Sequence, residues 1–233
     1  MAGLLVLWDI DYTLLSAGGV GSTVYRSVFR DLFGRDLAEV APMAGRTERA
    51  IIADTLTMAG VAEPARHVED FMAELSRRAP DLRARFAAHG HALPGAAAVL
   101  AAVAAMGPDA VQSVLTGNLP AIAEAKLAAF RLAIHLDLKI GAYGDHHEVR
   151  AELVHLARQR AAAAYGRDFG GAATVLVGDT PLDVAAALAT GARSVAVATG
   201  GSSAADLAAA GAGVILPDLT NTSAVLAALG MPL

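Results

Sequence analysis

Five short apolar runs set the limits on what this chain folds into. They are LLVLW (4–8), AVQSVL (110–115), TVLVG (174–178), SVAVA (194–198) and GVILP (213–217). Each has strand length and is carried by Val, Leu or Ile. Ala-rich stretches separate the last four and predict helices at roughly 120–131, 150–164, 181–190 and 203–210. Pro120 and Pro181 stand where helices begin, and Gly191 and Gly211 where they stop. Buried strands alternating with helices signal an α/β fold built on a parallel sheet.

Between the first and second runs the pattern changes. VYRSVFRDLF (24–33), RAIIADTLTMAG (49–60) and RHVEDFMAELSRRA (66–79) repeat apolar residues at helical spacing, with no convincing strand among them. Gly- and Ser-rich SAGGVGS (16–22) and HGHALPGA (89–96) bracket this region. A single crossover rarely needs so many residues. The expected organisation is a core of residues 1–16 and 93–233 carrying a helical insertion, 17–92.

The composition narrows the chemistry. The chain has 233 residues and no cysteine, which excludes disulfides, thiol catalysis and Cys-ligated metals. A net charge of −5 with no basic run argues against a nucleic-acid partner. No uninterrupted apolar stretch approaches the roughly 18 residues of a membrane span, and no basic segment precedes the first apolar run. A cytoplasmic protein with no membrane partner is the expectation.

Two carboxylates, Asp9 and Asp11, close the first strand. Thr116-Gly117-Asn118 follows the second, and Asp179 and Asp183 follow the third. Ligands bind outside the carboxyl ends of strands in open α/β sheets, so three strands deliver polar groups to one edge. Structural roles compete: an Asx-turn at Asp9, a turn and cap at Thr116 to Asn118, a capping-box acid at Asp183. Asp179 is the hardest to explain structurally. Grouped carboxylates in a cleft repel one another unless a hard divalent cation such as Mg²⁺ joins them. A carboxylate so placed can attack phosphorus and become an aspartyl-phosphate.

Asp9-Ile10-Asp11-Tyr12-Thr13, Thr116-Gly117-Asn118 and Gly178-Asp179-Thr180-Pro181-Leu182-Asp183 together resemble the haloacid dehalogenase superfamily. The chain is most similar to its phosphoglycolate-phosphatase-like branch. The resemblance implies a Rossmann-like, three-layer α/β/α core with a helical cap, and a phosphatase acting on a small-molecule phosphomonoester. It implies Asp9 as nucleophile, Asp11 as general acid and base, and Thr116, with Gly117 and Asn118, as phosphate ligands. The metal set it implies is Asp9, Asp179 and Asp183, with Asp11 beside them, around Mg²⁺. Gly45-Arg46-Thr47 resembles the cap segment that reaches the active site, which would bring Arg46 to the substrate.

Two departures stand out. Tyr12 occupies a place where the family usually has Gly, so the turn must accept a side chain. No Lys-Pro pair supplies the family's cation. Arg150 is expected to replace it, with Lys126 second. His146 and His147 receive no role. The rival readings are a phosphomutase or phosphotransferase on the same scaffold, and a non-catalytic binding protein that keeps the fold. A dehalogenase would need neither Asp11 nor the metal.

Overall fold

The computed structural model describes residues 3–231. Its main sheet has five parallel strands: β1 (Leu4–Trp8), β4 (Ala110–Val114), β5 (Thr174–Gly178), β6 (Arg193–Val197) and β7 (Val214–Leu216). The spatial order is β4-β1-β5-β6-β7. Strand β1 lies between its partners, with Trp8 level with Val114 on one side and Val177 on the other. The residues after these three strands therefore meet at one place. This register is what brings Asp9, Thr116 and Asp179 together.

Each strand serves two cores because successive side chains point to opposite faces. Val6 and Trp8 pack on one face with Val175 and Val177, under α4 (Ala96–Ala105) and α9 (Thr222–Ala228). Leu5 and Leu7 pack on the other with Leu176, against α6 (Arg150–Tyr165) and α7 (Pro181–Ala189). Helix α8 (Ala204–Ala209) covers β6 and β7 through Leu207. Strands buried on both faces read as unbroken apolar runs, which is why the sequence exposes them. Edge strand β7 is only half buried and is correspondingly short.

Helices α1 (Val20–Phe33), α2 (Glu48–Met58) and α3 (Val68–His89) lie between β2 (Leu15–Ser16) and β3 (His91–Ala92). The latter two form an antiparallel ribbon at the neck, pairing Leu15 with Ala92 and Ser16 with His91. The three helices enclose their own apolar core around Val28, Phe29, Ile52, Leu56, Phe71 and Phe86. That core continues into α5 (Pro120–Ala129), whose Leu119 approach and Ile122 and Ala125 face join it.

The sequence pattern stops at residue 79, yet α3 continues through Pro80 to His89. Pro80 lies on the exposed face, where Ala79 and Leu82 beside it stay buried and hold the helix together. Packing outweighs the lost backbone donor here. Helix α4 was not predicted. Its sequence, AAAVLAAVAA, is apolar all round and offers no amphipathic contrast. Among the described residues, no helix is long and apolar enough to cross a membrane.

Candidate active site

Asp9 is the first residue past β1, and its backbone N–H donates to the Val177 carbonyl at 2.8 Å. Its carboxylate is thereby fixed at the centre of the sheet edge, 6 % exposed. Asp179 follows β5 and is 3 % exposed; Asp183 lies one turn into α7 and is 2 % exposed. One oxygen from each of these three residues lies within 4.8 Å of the others. Burial, opposed by Arg150 and reinforced by Asp183 and Asp11, pushes Asp9 up to about 7. Burial, with the nearby Asp9 and Asp183, pushes Asp179 up to about 8. Among the described residues the one side-chain donor to Asp179 is the Thr13 hydroxyl, at a long 3.5 Å, with its own backbone N–H helping. A buried carboxylate so poorly satisfied, beside two others, is a donor set that suits a hard cation.

Arg150 opens α6, where the helix dipole disfavours a cation. Its position is explained by what it touches. Nη2 donates to Asp9 Oδ1 at 2.9 Å, and Nε to Asp183 Oδ1 at 2.9 Å. The same Nη2 lies 3.3 Å from the Leu115 carbonyl. Burial works against its charge, but Asp183 and Asp9 more than offset that and hold the guanidinium firmly protonated. Asp183 also keeps its structural role. Its Oδ2 accepts from the Thr180 N–H at 3.1 Å and the Thr180 hydroxyl at 2.6 Å, completing a capping box. One carboxylate thus both caps α7 and aims Arg150.

Asp11 stands apart from the three-carboxylate cluster. Lys126, from α5, reaches it at 2.8 and 2.6 Å, and the Asn118 side-chain amide donates to it at 2.8 Å. Lys126 also donates to Asn118 Oδ1 at 2.6 Å, and Asn118 donates to the Thr116 hydroxyl at 2.7 Å. Thr116, Asn118, Lys126 and Asp11 therefore form one chain of contacts. Asp9 and Asp11 thus each have a cation of their own, Arg150 and Lys126, where the sequence suggested a choice between the two.

The turn after β1 holds Tyr12 in the left-handed region, with φ 57°. Its N–H donates to the Leu15 carbonyl at 2.7 Å, and the Thr199 hydroxyl donates to its own carbonyl. These bonds maintain a conformation that a Tyr adopts at some cost. Tyr12 is 48 % exposed. Gly200 follows Thr199, and a Cβ there would stand 1.8 Å from Asp179 Oδ2. The Gly200-Gly201-Ser202-Ser203 segment ends as expected in a cap, Ser203 accepting from Asp206 in a second capping box.

Helix α2 enters the site from above. Glu48 N–H donates to the Gly117 carbonyl at 2.8 Å and Arg49 N–H to the Gly144 carbonyl at 3.0 Å. A Cβ on Gly117 would stand 1.9 Å from the Arg46 carbonyl, so this junction requires glycine. Arg46 itself turns away from the acids. Its guanidinium pairs with Asp54 at 2.5 Å and donates to the carbonyls of Pro42 and Ala50 at 3.1 and 3.3 Å. Its neighbour Glu48 instead faces inward and accepts from the Tyr25 hydroxyl. Burial pushes Glu48 up to about 7, and burial with Glu48 alongside raises Tyr25 further above its usual range. Sequence reasoning missed both; the available signal was an acid directly after Gly45-Arg46-Thr47. His146 hydrogen-bonds the Tyr143 N–H at 3.0 Å and stays outside the acid cluster.

Asp9, Asp11, Asp179, Arg150, Lys126 and Glu48 line a cavity of about 310 Å³ between the sheet edge and the helices above it. The model of the haloacid dehalogenase-like hydrolases matches residues 6–188. No curated protein matches the chain. Among solved structures, a predicted phosphatase from Clostridium acetobutylicum is similar at 17 % identity and TM-score 0.68, covering 97 % of this chain and 100 % of that one. A predicted phosphoglycolate phosphatase from Haemophilus somnus shows 15 % identity and TM-score 0.68 over 96 % and 97 % of the two chains. A β-phosphoglucomutase candidate from Bacteroides vulgatus shows 18 % identity and TM-score 0.66 over 98 % and 89 %. At such identities the likeness concerns the fold. The match to the family model spans most of the chain, and the chain belongs to the haloacid dehalogenase-like hydrolase family.

Proposed function

We propose that the chain is a Mg²⁺-dependent phosphatase that hydrolyses a small phosphomonoester through an aspartyl-phosphate on Asp9. The observation that carries this reading is the contact between Asp9 and Arg150 beside two further buried acids. A nucleophilic carboxylate, a fixed cation and a candidate metal set occupy one sheet edge, facing a cavity. Phosphoryl transfer needs positioning and charge neutralisation above all.

In the first step an Asp9 oxygen forms a bond to phosphorus as the bond to the alcohol oxygen breaks. Asp11 gives that oxygen a proton. In the second, Asp11 takes a proton from water, whose oxygen attacks phosphorus and frees Asp9 and phosphate. Arg150 faces the transferring group from one side. Thr116 and Asn118 supply the hydroxyl and amide on another. Lys126 holds Asp11 in place. Mg²⁺, when bound by Asp9, Asp179 and Asp183, supplies further neutralisation of phosphate charge. We further propose that residues 17–92 act as a cap over a core of 1–16 and 93–233, hinged at the β2–β3 ribbon. No membrane or nucleic-acid partner and a cytoplasmic setting complete the reading.

The phosphotransferase reading shares the first step and differs in the acceptor. The cavity favours hydrolysis of a less polar ester, because Val24, Leu75, Leu82 and Phe86 offer a polyhydroxyl sugar few partners. The deciding experiment measures phosphate released from a panel of phosphomonoesters with and without Mg²⁺, alongside an acid-stable search for sugar bisphosphate. Phosphate release that stops on chelation and in Asp9→Asn is expected. Transfer without release would replace hydrolysis by phosphotransfer.

A further inference from the structure

Away from the sheet edge the cavity wall is largely apolar, with Glu48, Tyr25, Ser22 and Arg46 as its polar members. Its wall is formed by Val24 of α1, Ile51 of α2, Leu75, Leu82 and Phe86 of α3, and Ile122 of α5. Within that wall stand Glu48 and Tyr25, 8 % and 3 % exposed. The Tyr25 hydroxyl donates to Glu48 Oε1. Among the described residues Tyr25 is the one side-chain donor recorded to Glu48, which lines the cavity and keeps Oε2 for a further partner. A carboxylate set in an otherwise apolar wall, with one oxygen paired, gains from a second donor arriving through the cavity. A helix-start acid gains from the dipole equally well when exposed, so the helix does not explain the burial.

We propose that Glu48, backed by Tyr25, selects the alcohol half of the substrate. The substrate class is a phosphomonoester with an apolar carbon skeleton bearing one hydrogen-bond donor, a hydroxyl or an ammonium, that bonds Glu48 Oε2. This rests on the phosphatase reading for the position of the phosphate. A carboxylate on the alcohol is the wrong partner. It would stand against Glu48, and the nearby cations are already held, Arg46 by Asp54 and two carbonyls and Lys126 by Asp11 and Asn118. Glu48 thus takes the substrate-reading position that the sequence suggested for Arg46.

The test compares esters of matched length: butyl, hydroxybutyl, aminobutyl and carboxypropyl phosphate. Turnover is measured as kcat/KM, and binding of the four corresponding unreactive phosphonates by calorimetry. At pH 8, above the value of about 7 to which burial raises Glu48, the hydroxybutyl and aminobutyl phosphonates should bind roughly ten- to a hundredfold more tightly than the butyl compound, as a hydrogen bond to a charged group implies. The carboxypropyl compound should bind more weakly than butyl. Glu48→Gln should remove most of the aminobutyl advantage, and Tyr25→Phe part of it. If butyl or carboxypropyl phosphonate binds as tightly as the donor compounds, or none binds, the proposal is overturned. An unchanged ranking in a folded Glu48→Gln also overturns it. Where that variant does not fold, the wild-type ranking decides alone. Phosphonates bound in the donor order with no ester hydrolysed would support the subsite and remove the phosphatase reading.

Discussion

Arg150 Nη2 lies 2.9 Å from Asp9 Oδ1, joining the first residue of α6 to the first residue beyond β1 across 141 positions of sequence. Both side chains are buried, 7 % and 8 % exposed. Without the guanidinium, Asp9 and Asp183 would be two uncompensated anions in a desolvated cleft. Arg150→Ala is therefore expected to lower kcat by on the order of 10²-fold or more, as loss of an electrostatic donor does. It should also cost about 3–5 kcal/mol of stability in metal-free protein, the usual penalty for breaking a buried pair. Arg150→Lys should recover part of the rate, since charge survives but the fork does not. Denaturant melts and steady-state kinetics on the same samples separate the two effects. A fully active Arg150→Ala would remove the cation from the mechanism.

Lys126 and Asp11 are expected to act as a unit. Asp11→Asn should slow phosphorylation and hydrolysis by roughly 10²–10⁴-fold. Lys126→Met should lower both steps in the same direction by releasing Asp11 from its 2.6 Å contact. If Lys126 works through Asp11, the double variant will be no slower than Asp11→Asn alone. Independent, multiplying losses would assign Lys126 a separate role on the phosphate.

Asp179 offers a test that does not depend on turnover. Adding Mg²⁺ should raise the Tm of wild-type protein, because binding to the folded state alone stabilises it. Asp179→Asn should shrink that rise and increase the Mg²⁺ needed for activity. A metal titration identical to wild type would take Asp179 out of the ligand set.

Glu48 predicts a pH dependence of stability. Its folded value, about 7, lies above its ordinary 4.5 because of burial. A raised carboxyl contributes stability that is fully present below its unfolded value and lost as pH rises through the folded one. The window is therefore from about pH 5 to beyond pH 7, with a total on the order of 3 kcal/mol. Wild type should lose more stability across that window than Glu48→Gln, which cannot ionise. Parallel Tm-against-pH curves for the two proteins would show that Glu48 ionises as freely folded as unfolded.

Much of this architecture was legible because its causes are local. Strands buried on both faces are carried mainly by apolar residues, so β1, β4, β5 and β6 appear in the sequence within a residue of their observed bounds. Pro120, Pro181 and Gly191 mark real helix ends for the same reason. The illegible parts are those that distant packing decides. The β2–β3 ribbon is two residues per strand and has no pattern of its own. Helix α3 passes Pro80 because its buried face continues. The acids at the sheet edge follow from strand ends, but Arg46 turning to Asp54 follows from a partner eight residues on. Lys126 meeting Asp11 depends on how α5 sits above the sheet. Glu48 was passed over because nothing nearby in sequence shows that Tyr25 stands opposite it.

Helix α5 belongs to two cores at once. Ile122 and Ala125 complete the apolar interior of the inserted helices, while Ala123 and Leu127 pack onto the sheet side. If residues 17–92 are the cap proposed above, the unit that packs with it extends into α5. A chimera that imports residues 17–92 from another chain and keeps the native 119–125 would join two surfaces that were not shaped for each other. It would also carry Lys126, and with it the alignment of Asp11, on a helix whose outer packing had changed. Modular grafting in this scaffold has to move α5 with the helices it seals.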